Sequence, residues 1–90
     1  MKLLAALKAE FFPGFRATLQ GRAGMRYREG KKTMAIDCEM LVGEFDLVVY
    51  SDSIRCWLPP HDAELVTPEE KERIRKNVAW SLRSLKIEWA

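Results

Sequence analysis

Ninety residues make one domain, near the lower limit of what folds without disulfide or metal staples. A hydrophobic content of 48% beside 31% charged residues excludes wholesale disorder. The net charge of +2 conceals three blocks: residues 1–32 hold eight Lys or Arg against two Glu (+6), residues 33–70 one Arg against nine acids (−8), and residues 71–90 six Lys or Arg against two Glu (+4). Either the blocks neutralise one another within the fold, or they leave a bipolar surface that offers one sign of field to a partner.

The N-terminus, Met1-Lys2-Leu3-Leu4-Ala5-Ala6-Leu7, resembles a secretory leader, but Lys8 and Glu10 cut the apolar run to five residues. A leader core takes roughly 7–15, and a membrane span about 20. Leu3, Leu4, Leu7 and Phe11 stand instead at helical spacing before Pro13-Gly14, so residues 1–14 read as a helical or irregular extension of the domain at 15–89. The expected location is the cytoplasm, with no membrane contact. Cys38 and Cys56 are too few for a disulfide scaffold, and with His61 the single histidine they match no metal-ligand spacing. No cofactor or metal is expected.

From Phe15 to Gln20 apolar and polar residues alternate, the period of a half-buried strand. Gly21–Gly24 reads as a turn or bulge, Met25–Glu29 alternates again, and Gly30-Lys31 forms a hairpin tip. Met34, Ile36, Cys38 and Met40 then occupy alternate positions; a one-residue slip would bury Asp37 and Glu39, so the two faces are well specified. Phe45–Tyr50 is rich in β-branched and aromatic residues and reads as a central strand. Ser51-Asp52-Ser53 is a turn or bulge, Ile54–Leu58 continues extended, and Pro59-Pro60 ends the run because proline donates nothing to a ladder.

After a loop over 61–66, Thr67-Pro68-Glu69-Glu70 spells a helix start: a hydroxyl cap, proline at the first helical position, and Glu70 placed for a capping box. Ile74, Val78, Leu82 and Leu85 share one stripe, which should face a sheet. Leu85–Trp89 switches to period two and begins a last strand. The predicted fold is α+β: an antiparallel sheet of about four strands, one amphipathic helix and a final strand.

Catalytic signatures are missing. Gly21-Arg22-Ala23-Gly24 has neither the spacing nor the Lys-Ser/Thr pair of a phosphate loop. Cys38 alternates with core residues and reads as an inert buried thiol, and no nucleophile–base pair is evident, so the chain is not expected to be an enzyme. Three features carry binding potential. Arg55–Asp62, with Trp57 ahead of two prolines, His61 and Asp62, is a rigid apolar loop suited to a binding edge; alternatively Trp57 packs the core and the prolines only end a strand. Trp80 lies off the apolar stripe among Arg73, Lys76 and Arg83, either an interface anchor or a rim residue covered by arginine stems. The acidic segment, which includes Asp46 and Asp52, is either a solvated face or one that meets a basic protein.

Several of these runs together resemble a small family of immunity proteins of bacterial polymorphic toxin systems, Immunity protein 74. They are Tyr27-Arg28-Glu29-Gly30-Lys31, Asp37-Cys38-Glu39-Met40-Leu41, Asp46 to Ile54, Trp57-Leu58-Pro59-Pro60-His61-Asp62, and the helix from Thr67. The likeness covers about residues 25–89. It implies a cytoplasmic protein that binds and neutralises a cognate toxin, with no cofactor and no catalysis. It carries no contact residues over. The candidate partner-binding set, Asp46, Asp52, Trp57, His61, Asp62, Arg73 and Trp80, comes from the residue reading alone. The alternative is a small nucleic-acid-binding protein using Arg22, Arg26, Arg28, Lys31 and Lys32 with Tyr27 or Trp80 as stacking groups, against which the acidic middle speaks.

Overall fold

The computed structural model describes residues 14–90, so the N-terminal helix expected before Pro13 lies outside the described residues. Five strands, β1 (Phe15–Leu19), β2 (Ala23–Glu29), β3 (Lys32–Met40), β4 (Leu47–Val49) and β5 (Ile87–Trp89), form one sheet in the order β1-β2-β3-β4-β5. The first four pair antiparallel. The expected hairpin tip is present: Gly30, at φ 61°, takes the left-handed conformation that lets β2 reverse directly into β3. The alternation predicted for the third strand holds as far as Glu39, with Met34, Ile36 and Cys38 buried and Ala35, Asp37 and Glu39 exposed, but Met40 at the strand's end is 44% exposed.

Helix α1 (Pro68–Ser81) starts where the capping signal puts it. Thr67 Oγ1 accepts from the Glu70 N–H at 3.1 Å, and Glu70 Oε1 accepts from the Thr67 N–H at 3.0 Å. Ile74 and Val78 are fully buried, with Leu82 and Leu85 partly buried against the same core. The last strand begins at Ile87, two residues later than the alternation suggested, and pairs parallel with β4. The parallel sense follows from the crossover: α1 carries the chain back to the end of the sheet from which β4 started.

Two expectations need correction. Phe45–Tyr50 supplies a strand of only three residues, Leu47–Val49. Ile54–Leu58 is not a ladder strand; it runs beside β3 through separate bonds. Ser53 Oγ accepts from the Asp37 N–H at 2.8 Å, the Leu58 N–H donates to the Thr33 carbonyl at 2.8 Å, and Cys56 makes an isolated bridge with Leu65. The 3-10 turn Ser51–Ser53 shifts the chain out of register, and a serine hydroxyl replaces a main-chain carbonyl on the β3 edge. The Pro59–Pro60 peptide that follows is cis.

All of this leaves the sheet with unequal faces. One is covered by α1 and by Ile54 and Trp57, which join Met25, Tyr27, Met34, Ile36, Leu47 and Val49 in the core. The other carries no layer of described residues.

Candidate functional site

The uncovered face is built by strand alternation alone. Positions that oppose the core residues of β1–β3 and β5 place Arg16, Thr18, Arg26, Arg28, Ala35, Asp37, Glu39 and Glu88 in solvent. The register sorts them by charge. Arg16 stands opposite Arg28, and Arg26 opposite Ala35, so the arginines share the β1–β2 corner. Glu39 and Glu88 flank Val48 from either side, with Asp37 two residues before Glu39, so the acids share the β3–β5 corner. Val48, although on this face, is only 7% exposed. Tyr50 donates its hydroxyl to Glu39 Oε1 at 2.8 Å, which raises the phenol's pKa. Ala23, Gly24, Asp37, Cys38, Glu39 and Tyr50 line a shallow open depression of ≈ 420 Å³.

On the covered face one carboxylate organises the junction of sheet and helix. Glu29 continues the core side of β2 beyond Tyr27, where an unpaired acid would be costly. It is met by Arg73 in a two-bond contact, Nε to Oε2 at 2.9 Å and Nη2 to Oε1 at 2.6 Å. The buried Tyr27 hydroxyl also donates to Glu29 Oε2 at 2.8 Å, and Asn77 Nδ2 donates to the Tyr27 oxygen at 2.9 Å. Burial pushes the Glu29 pKa up, but the bonds from Arg73 and Tyr27 and the charges of Arg73 and Lys32 outweigh it and hold it below the ordinary carboxylate value. Burial is also the main reason that the Tyr27 phenol is raised far above its ordinary range. Sequence reading missed this network, although its signal was present: a glutamate at a core-side position and an arginine one residue before Ile74 on the facing helix.

The seven candidate contact residues are distributed over the molecule. Trp57 is 2% exposed, stacked on Tyr27 with ring centroids 6.3 Å apart, and the Lys32 ammonium lies 5.5 Å from its ring centre. It anchors the following loop from inside and presents no ring to a partner. Arg73 is committed to Glu29. Asp46 Oδ2 accepts from the Lys86 N–H at 2.8 Å and ties the start of β4 to the start of β5. Asp52 is fully exposed, 4.0 Å from the Lys71 ammonium. His61 is half-buried and Asp62 exposed. Trp80 is 52% exposed on α1, with the Arg83 guanidinium 4.2 Å from its ring centre.

No nucleophile–base pair emerges among the described residues. The Cys38 thiol is pushed up by burial, which keeps it protonated. No group of three or more His, Cys, Asp or Glu among the described residues is arranged to hold a metal. Among them, too, no helix is long and apolar enough to cross a membrane. Tyr27, one stacking group of the nucleic-acid alternative, is fully buried, and Lys32 is ion-paired with Glu64. A family model described as Immunity protein 74 matches residues 18–88. No curated protein and no solved structure matches the chain.

Proposed function

The chain belongs to the Immunity protein 74 family, and from that premise we propose that it is a bacterial immunity protein, acting in the cytoplasm, which binds a cognate toxin and neutralises it without catalysis. The family match over residues 18–88 is the observation that carries this reading. The fold supports it, since neutralisation by binding needs only a rigid surface that occludes a toxin's working face. Among the candidate contacts, exposed Asp52 stands on the 3-10 turn, 4.0 Å from the Lys71 ammonium of α1. His61 and Asp62 follow the two prolines on the loop that Trp57 anchors, and Trp80 stands on the outer side of α1. Trp57, Arg73 and Asp46 act as supports, holding the loop, the helix and β5 in place.

The test is co-expression with the toxin-like reading frame that neighbours the gene. Rescued growth and a stable complex on size exclusion are expected. Failure of rescue against every neighbouring toxin candidate overturns the reading. Arg16, Arg26 and Arg28, which make no ion pair among the described residues, favour one alternative, a nucleic-acid surface. A flat titration against single- and double-stranded DNA and RNA at low salt removes it, because phosphate binding strengthens steeply as salt falls.

A further inference from the structure

The open face of the sheet separates its charges when an isolated chain would gain by mixing them. Arg16, Arg26 and Arg28 fill one corner, and Asp37, Glu39 and Glu88 fill the diagonally opposite one. Among the described residues none of the six makes an ion pair. Among the described residues Arg28 reaches the Gly30 carbonyl, at 3.5 Å, and Glu39 accepts a tyrosine hydroxyl. Arg16 faces Arg28 directly across the β1–β2 pair, and like charges in that relation are destabilising. Counting strands and residues in register sets the two corners about 20 Å apart. Beside the arginines in register lie Thr18, Thr33 and Ala35, whose short side chains let another flat surface come close.

We propose that this face is self-complementary and pairs two copies of the chain as an isologous dimer, the arginine corner of each copy against the acidic corner of the other. A two-fold axis in the plane of the face, midway between the corners and perpendicular to the line joining them, produces that match at both corners at once. Arginine suits the role, because its planar fork bonds a carboxylate through two parallel contacts. Each pair lies near solvent and is individually weak, so the dimer depends on all of them together and on low ionic strength. This pairing stands apart from the toxin reading and does not rest on it; a toxin using the Asp37–Glu39 strip would compete with the second copy.

Sedimentation of the full chain tests it at about 0.01 M and about 1 M salt, between which the Debye length falls from about 30 to about 3 Å. Wild type is expected to sediment as a dimer at low salt and as a monomer at high salt. Arg16→Glu/Arg26→Glu/Arg28→Glu and Asp37→Lys/Glu39→Lys/Glu88→Lys are each expected to be monomeric alone and to form a one-to-one heterodimer when mixed. Heterodimer formation also reports that both variants fold. If circular dichroism shows a triple variant unfolded, Arg26→Glu and Glu39→Lys singly answer the same question through a weakened dimer. A monomeric wild type at low salt overturns the proposal, as does a triple variant that dimerises alone or a mixture that stays monomeric. A monomeric wild type whose triple variants lose protection against the toxin also overturns it, and assigns the face to the toxin.

Discussion

Glu29 sits at the point where β2, the buried Tyr27 hydroxyl and α1 meet, and its loss would leave Arg73, Tyr27 and Asn77 without their shared acceptor. Glu29→Ala is expected to cost on the order of 2 kcal/mol, because a buried hydroxyl loses its acceptor together with the ion pair. Arg73→Ala should cost less, about 1 kcal/mol, since the Arg73 side chain is 45% exposed and water screens the pair. Thermal melting of the two single variants and the double variant checks the order and the coupling. The same group makes stability depend on pH. Its folded pKa lies below its unfolded one, so its contribution is fully present above the unfolded value and is lost as pH falls through the folded value. Urea unfolding below about pH 4.3 should therefore show a steeper loss for wild type than for Glu29→Gln; equal slopes would place the acid sensitivity elsewhere.

At the scale of elements, α1 depends on its first turn as well as on its apolar stripe. Thr67 Oγ1 caps the Glu70 N–H while Glu70 returns the bond, so Thr67→Ala removes half of a reciprocal pair. A loss of about 1 kcal/mol is expected, which for a domain of this size lowers the melting temperature by about 4–8 °C. Thr67→Ser should retain most of the stability, and a melt of the three proteins separates the hydroxyl's role from that of the methyl group. Beyond Tyr50 the propensity for strand is present in Ile54–Leu58, but pairing is decided by what lies beside it. With Ser53 and Leu58 bonded singly to β3, the segment is free to turn inward and bury Ile54 and Trp57.

The three charge blocks meet two fates in the whole molecule. Glu29–Arg73, Lys32–Glu64 and Lys71–Asp52 join residues far apart in the chain, so part of the charge is neutralised internally. Another part, Arg16, Arg26, Arg28, Asp37, Glu39 and Glu88, is left on the open face as two corners. Asp52→Lys and Asp62→Lys are expected to reduce protection by the co-expressed toxin while leaving the melting temperature within a few degrees of wild type. Arg73→Ala should lower the melting temperature first and protection only as a consequence. Protection assays beside melts of the same variants distinguish a contact from a support, and unchanged protection in both aspartate variants removes them from the toxin surface.

Much of the fold was legible in the sequence because it depends on local rules. The alternation over 34–40 has one register that buries Met34, Ile36 and Cys38, and the Thr67-Pro68-Glu69-Glu70 signal satisfies helix ends within four residues. Opposite faces of one strand also oblige Asp37 and Glu39 to share a side. What the tertiary structure alone decided is how distant segments meet. Trp57 reads as core anchor or as exposed ligand until Tyr27 is found beneath it, and Arg73 reads as surface charge until Glu29 is found across from it. The arginine corner needed the β1–β2 pairing to bring Arg16 against Arg28, and the acidic corner needed β5 to return beside β4 with Glu88. Periodicity determines which side of an element a residue takes, while long-range pairing determines which residues share that side as neighbours.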